Sequence, residues 1–282
     1  MRGGGTVIRV VTLLTDFGLA DPYVAEMRAR LYAEWSRFPA PDPLPVVVDL
    51  SHGVPMGDVA AAAWLLARTA PGFPAGAVHL AVVDPGVGTE RPAVAVAARG
   101  QLWVGPGNGL FEFLRRDGAD VEVVHLDNPL YLRGPGGRPA STFHGRDVFA
   151  PAAAHLAMGV PLAQVGSPAP AAALGRLAEA GAAESGPQAE RIGQVVWIDR
   201  FGNALTDVRR DGPHGERLAG GAAIALGAAR ALGPVQTYAR GATAAPFWYW
   251  GSGDTLEVAL RGRDAAREYG WKVGLAVRIA TP

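Results

Sequence analysis

The sequence contains no cysteine. Disulfides, thiolate nucleophiles and cysteine-bearing metal sites are thereby excluded, while the redox character of the compartment is left open. Lysine is nearly absent as well: Lys272 is the only one, and every other basic residue is an arginine. A Schiff-base lysine or the lysine of a phosphate-binding P-loop needs a defined context, and the Trp-Lys-Val-Gly segment around Lys272 does not supply one. No excess of one charge exists, since 26 Lys+Arg balance 26 Asp+Glu. Neither a positive field that gathers nucleic acid nor an acidic tail is present, so no nucleic-acid partner is expected. No stretch reaches the roughly 18 uncharged apolar residues of a membrane helix, so no membrane partner is expected either. The apolar stretch Val10 to Leu14 stops at Thr15-Asp16, too early for a signal-peptide core, and a cytoplasmic location is expected.

What is present is an ordinary globular composition. With 282 residues, 49% apolar and 18% charged, the chain can fill one large core or two smaller ones. Val7 to Leu14 is a β-branched apolar run that ends at a turn, and Asp21 to Trp35 then suits a helix with Asp21 as N-cap and Pro22 at its first position. The alternation continues with a strand at Pro45 to Val48, an alanine-rich helix at Asp58 to Thr69 and a strand at Val78 to Val83. Strands are also expected at Ala93 to Ala97, Leu102 to Val104 and Val121 to His125. The fold class that follows is α/β: an N-terminal α/β sandwich around a mostly parallel sheet, over residues 1–175. Ser167 to Glu190, rich in Pro, Ala and Gly, reads as a linker or a small bridging helix. Short strand-like runs at Gly193 to Ile198, Ala222 to Ala225, Thr255 to Leu260 and Leu275 to Ile279 suggest a smaller C-terminal β-barrel over residues 190–282.

Three early strands end in a carboxylate, at Asp16, Asp49 and Asp84. Ligands of open α/β sheets sit beyond the carboxyl ends of the strands, so a polar cleft is expected there, although aspartates also simply cap turns. After Asp84 the glycine-lined loop Pro85-Gly86-Val87-Gly88-Thr89-Glu90 leads back to Arg91, whose guanidinium could hold the carboxylate in one orientation. His144 lies between a polar cluster, Ser141-Thr142, and the apolar face of a helix through Phe149, Ala153 and Leu156; taken alone, a histidine beside glycine is more often a satisfied loop or capping residue. The glycine-rich segments at Gly86 to Gly88 and Gly105 to Gly109 match no phosphate-loop pattern. The six histidines form no compact ligand pair, so no metal is expected, although Asp16, Asp49 and Asp84 have the ligand chemistry of a magnesium site. In the second half, Asp199, Phe201 and Asn203 put a carboxylate, a ring and an amide in one short turn, which could bind a polar head group or merely shape the turn.

Six segments in order carry a resemblance: Leu13-Leu14-Thr15-Asp16-Phe17-Gly18, Asp49-Leu50-Ser51-His52, Val83-Asp84-Pro85-Gly86-Val87-Gly88-Thr89, Gly105-Pro106-Gly107-Asn108-Gly109-Leu110, Phe143-His144-Gly145-Arg146-Asp147 and Ile198-Asp199-Arg200-Phe201-Gly202-Asn203. Together they resemble the S-adenosyl-L-methionine (SAM) hydroxide adenosyltransferases, relatives of the bacterial fluorinase and chlorinase. Gly107 departs from the acidic or amide residue expected before Asn108, and Trp250 to Glu257 follows the family only loosely.

The resemblance implies a hydrolase that needs no cofactor and splits SAM into adenosine and L-methionine by attack of water or hydroxide at the ribose C5′. It implies a catalytic set of Asp84, Arg91 and His144, with Asp16 on the ribose and Asp199 and Asn203 on the methionine, where Phe201 and Ser252 line the same pocket. It also implies a homotrimer with its sites at subunit interfaces. The halogenating relatives carry Tyr-Pro-Ala-Thr-Gly where this chain has Asp84 to Gly88, so Asp84 would place a negative charge where a halide must sit. The readings set against this one are a SAM-dependent halogenase, a magnesium-dependent phosphohydrolase using Asp16, Asp49 and Asp84, and a nucleoside-binding sensor without turnover.

Overall fold

The computed structural model describes residues 8–39, 44–118, 120–134, 137–177 and 190–280. The chain divides into two compact units, Met1–Ala178 and Glu179–Pro282.

In the first unit, β1 (Val10–Thr15) is buried along its whole length. A strand covered on both faces reads as an unbroken β-branched apolar run, which is how the sequence presents it. After it come α1 (Tyr23–Trp35), β2 (Val46–Ser51), α2 (Val59–Thr69), β3 (Val78–Val82), β4 (Ala93–Ala98), β5 (Gln101–Pro106), β6 (Val121–His125), α3 (Ala150–Ala157) and β7 (Pro168–Ala169). The seven strands form one sheet in the order β2-β1-β3-β5-β4-β6-β7. Its β2-β1-β3-β5 half is parallel, with Val11 opposite both Val47 and Val78, while β4 pairs antiparallel with β5 and β6. The mixed sheet thus keeps a parallel half, and the carboxyl ends of β1 and β3 lie side by side in it.

Helices α1 and α3 cover this sheet. Met27, Leu31 and Trp35 pack with Val11, Leu13, Leu80 and Val82 of the strands and with Phe149, Ala153 and Ala154. Burying each of the larger side chains contributes about 1.5–3 kcal/mol. The indole of Trp35 donates to the Ala154 carbonyl at 3.1 Å, which ties α1 to α3. Pro22, not Asp21, occupies the N-cap of α1, and no side chain caps it; Asp58 does cap α2, accepting from the Ala61 amide at 2.9 Å. The expected helix around Phe149 opens with one wide π turn, Gly145–Phe149, before α3. Such turns often occur where a helix must present a functional group.

The expected linker belongs in part to this first unit. Pro168–Ala169 adds β7 to the edge of the sheet, and a helical turn follows at Ala171–Leu174. From residue 178 to residue 189 the segment lies outside the described residues.

The second unit is built from β8 (Arg191–Ile198), β9 (Ala204–Arg209), α4 (Gly215–Ala219), β10 (Ile224–Leu226), β11 (Ala229–Ala231), β12 (Phe247–Trp250), β13 (Thr255–Ala259), α5 (Ala265–Tyr269) and β14 (Ala276–Ile279). Its seven-stranded order is β11-β10-β14-β8-β9-β13-β12, and a bridge between Leu232 and Phe247 brings the two edges together. The result is a nearly closed antiparallel barrel around Val195, Leu226, Trp248, Leu256, Val258 and Val277. Trp248 and Trp271 anchor it by donating to the carbonyls of Ala222 (2.7 Å) and Leu226 (3.2 Å). The four expected strands are present, and β9, β11 and β12 are additional to them. Among the described residues no helix is long and apolar enough to cross a membrane.

Candidate active site

Asp84 stands just beyond β3, and Arg91 just before β4, so the loop between them folds the arginine back onto the carboxylate. The Arg91 Nε donates to Asp84 Oδ1 at 2.9 Å and Oδ2 at 3.1 Å, and Nη2 reaches Oδ2 at 2.5 Å. The same Nη2 lies 2.8 Å from Nδ1 of His144, the residue that opens the π turn. Both members of the ion pair are largely withdrawn from solvent, with side-chain exposures of 4% for Asp84 and 10% for Arg91. The guanidinium also packs 5.2 Å from the Phe149 ring centroid. The three residues that the sequence singled out are thus held in one hydrogen-bonded chain.

This chain fixes the tautomer of His144. Burial and, after it, the neighbouring Arg91 charge lower the pKa of His144, outweighing the opposite pull of Asp84 and Asp147, so the ring is neutral near pH 7. Arginine can only donate, so Nδ1 accepts and the ring proton sits on Nε2. His144 therefore presents an N–H donor on its other side.

Asp16 follows β1, and its Oδ2 accepts from the Gly57 amide at 2.8 Å. A Cβ on Gly57, which has φ +71, would lie 3.8 Å from that of Pro85, so this turn also borders the Asp84 loop. An aromatic triangle draws in the His144 segment: Phe17 contacts Phe143 and Tyr23 at 5.9 Å each, and Tyr23 contacts Phe143 at 5.5 Å. Phe17 adjoins Asp16 and Phe143 adjoins His144, so the loops of all four candidates in this unit border one another.

Asp49 does not join this group. Its carboxylate pairs with Arg28 and lies 3.2 Å from Nε2 of His52. Among the described residues no three His, Asp or Glu side chains converge as a metal site, which corrects the idea of a magnesium centre on Asp16, Asp49 and Asp84. Asn108, quoted above only as part of a motif, proves to be a brace: its Nδ2 donates to the Val83 carbonyl at 2.9 Å, directly before Asp84. The departure at Gly107 also has a local cause, because a Cβ there would lie 2.1 Å from the Ala173 carbonyl oxygen.

In the second unit, the turn after β8 is organised by Asp199. Its Oδ1 accepts from the amides of Phe201 and Asn203 at 2.9 Å each, and its Oδ2 from Asn203 Nδ2 at 2.8 Å. Asn203 is buried, and its Oδ1 has no hydrogen-bond partner among the described residues. Phe201 is 66% exposed, so it is not the buried ring of a plain strand turn. Ser252 lies in the turn between β12 and β13, which carry Tyr249 and Glu257 as opposite partners. Burial, Glu257 and Asp199 all raise the pKa of the Tyr249 hydroxyl, so two carboxylates share its surroundings. Sequence reading passed over Tyr249 and Glu257; the only signal was the aromatic run Phe247-Trp248-Tyr249-Trp250.

Two family models match the chain. Residues 11–166 match the SAM hydroxide adenosyltransferase N-terminal domain, and residues 193–278 match its C-terminal domain. The chain belongs to the SAM hydroxide adenosyltransferase family. Among the relatives of this chain is a (R)-S-adenosyl-L-methionine hydrolase of Thermus thermophilus, 42% identical over 96% of this chain and 100% of that protein. A fluorinase of Actinopolyspora mzabensis is more distant, at 27% identity over 96% of each chain. Similar solved structures are those of conserved proteins from Thermotoga maritima (TM-score 0.78, 28% identity, covering 96% of this chain and 100% of the other) and Thermus thermophilus (TM-score 0.71, 40% identity, 97% and 100%).

Proposed function

We propose that this chain hydrolyses SAM to adenosine and L-methionine, with water or hydroxide attacking the ribose C5′. The observation that carries the reading is the Asp84-Arg91-His144 chain in the company of Asp16, in a member of a family whose curated relatives are named SAM hydrolases.

In the reaction the water oxygen bonds to C5′ while the C5′–S bond breaks, and its electron pair returns to sulfur. The sulfonium leaves as a neutral thioether, so no acid is needed for the leaving group. The difficulty lies with the nucleophile, whose proton must go to a base as attack proceeds. His144 carries its proton on Nε2 and acts as a hydrogen-bond donor that orients the water oxygen. Asp84, fixed by Arg91, is the acceptor; it passes the proton on to solvent. Asp16 receives the ribose hydroxyls and holds C5′ in line, and such positioning can supply several kcal/mol, up to roughly 7–11 in ideal intramolecular cases.

At the other end of the substrate, Asp199 and Asn203 take the methionine moiety, with Phe201 and Ser252 lining the pocket. The two carboxylates around Tyr249 favour a cationic group such as the amino-acid ammonium. Halide in place of water is disfavoured, because Asp84 sets a carboxylate beside the nucleophile. A homotrimer with sites at subunit interfaces belongs to the same reading. Its support is the exposed apolar rim of Leu19 (75%) and Met56 (93%) on the loops around Asp16 and Tyr23 (47%) at the start of α1. A cytoplasmic location completes the reading, testable by cell fractionation.

The test is turnover in 18O-labelled water. Label in the 5′-hydroxyl of adenosine supports attack at C5′; unlabelled adenosine, or label in another product, refutes it. Mixing inactive Asp84→Ala and Asp199→Ala proteins tests the shared site: restored activity supports it, and none under subunit exchange refutes it.

A further inference from the structure

Behind Asp16 lies a second polar chain that the reaction itself does not use. His52 is 6% exposed, and its Nδ1 lies 2.8 Å from Oγ1 of Thr15, the fully buried last residue of β1. That same Oγ1 accepts from the Phe17 amide at 3.2 Å. The His52 backbone grips the loop from its far end, its carbonyl accepting from the Gly18 amide at 2.8 Å. One residue therefore holds Thr15 by its ring and Gly18 by its backbone, with Asp16 in between.

The ring is itself supported. Its Nε2 lies 3.2 Å from Oδ1 of Asp49, off the line a hydrogen bond requires, and Asp49 is held in turn by Arg28. Burial and the Arg28 charge lower the pKa of His52, so the ring is neutral near pH 7. Because the Phe17 amide donates to Oγ1, the Thr15 hydroxyl is free to give its own proton to Nδ1. The ring proton then sits on Nε2, on the side of Asp49.

We infer that His52, acting through Thr15, is a positioning residue that aims the Asp16 carboxylate at the ribose hydroxyls. The inference rests on the reading of Asp16 as the ribose ligand. Partners of this kind behind a binding group fix its orientation and tune its strength without touching the ligand. Among the described residues the Asp16 carboxylate is hydrogen-bonded to the Gly57 amide alone, so its direction depends on the loop backbone that Thr15 and His52 hold.

The experiment is calorimetric binding of adenosine and of 2′,3′-dideoxyadenosine to the full chain. Wild type should prefer adenosine, and Asp16→Ala should abolish the preference. His52→Phe, which fills the site without a polar atom, should cut the preference about tenfold while dideoxyadenosine binds as before. Thr15→Val, nearly isosteric, should do the same and covers the case in which His52→Phe does not fold. His52→Asn, whose amide can stand where Nδ1 stood, should restore most of the preference. Equal weakening of both nucleosides by His52→Phe and Thr15→Val would reduce His52 to a structural residue and overturn the inference. An intact preference in both variants, lost in Asp16→Ala, would overturn it as well. A preference that survives Asp16→Ala would instead bring down the ribose reading, and the inference with it.

Discussion

Replacing Arg91 by lysine keeps the charge and removes the fork. In the structure Arg91 spans two partners at once: Nε and Nη2 hold Asp84 at 2.5–3.1 Å, and Nη2 meets His144 at 2.8 Å. A single ammonium cannot reproduce that span from a shorter reach. One charge-assisted hydrogen bond is lost, at about 1.5–3 kcal/mol, so kcat should fall about 10- to 100-fold, with a smaller change in KM. Arg91→Ala goes further, because it strands a nearly buried carboxylate; it should cost about 3–5 kcal/mol of stability and most of the activity. Initial rates of adenosine release over a range of SAM concentrations separate kcat from KM, and thermal melts report the stability. A second readout is the imidazole titration of His144 by NMR. Burial first and the Arg91 charge second lower its pKa, so Arg91→Ala should raise it and Arg91→Lys should move it less. Wild-type kcat in Arg91→Lys, or an unmoved His144 titration in Arg91→Ala, would refute the proposed coupling.

Asp84→Ala should abolish turnover while leaving SAM binding within a few-fold, whereas Asp16→Ala should weaken adenosine binding about 10- to 100-fold, a split that equilibrium binding and single-turnover rates together resolve. Because the pKa of His144 is lowered from 6.5, its neutral form prevails above that value, and turnover should be lost only as pH falls below it; an acid limb of kcat above 6.5 would contradict a neutral His144. Fully buried Glu34 gives a stability signature: burial pushes its carboxyl up, but the His155 hydrogen bond and the Arg133 and Arg37 charges outweigh this and leave the pKa lowered. A lowered folded-state value stabilises the protein above the unfolded pKa and is lost as pH falls through the folded one, so Tm should drop on acidification below about 4.5, and Glu34→Gln should flatten that slope.

Much of the first unit was legible because β1 and β3 are buried along their whole length and so appear as continuous apolar runs that lead into Asp16 and Asp84. Asp16 and Asp84 stood out at the ends of those runs, and Arg91 and His144 stood out through the glycine-lined loop and the motif order. Strand direction was not legible: the apolar pattern of Ala93 to Ala98 is the same whether it runs parallel or antiparallel, and only pairing with β5 and β6 decides it. Asp49 resembled its neighbours in sequence, yet Arg28, on a helix, captures it. The Gly107 departure is explained by the carbonyl of Ala173, a residue far along the chain, which no local pattern reveals. In the barrel, short strands such as Ala229–Ala231 carry too few residues for alternation to show, and Tyr249 and Glu257 acquire their shared surroundings only through cross-strand pairing.

The most direct measurement incubates the purified, EDTA-treated protein with SAM and follows the products by chromatography, with and without added chloride. Release of adenosine and methionine in equal amounts, with no 5′-chloroadenosine, is the outcome this account requires. Intact SAM beside tightly bound adenosine, or formation of 5′-chloroadenosine, would contradict it.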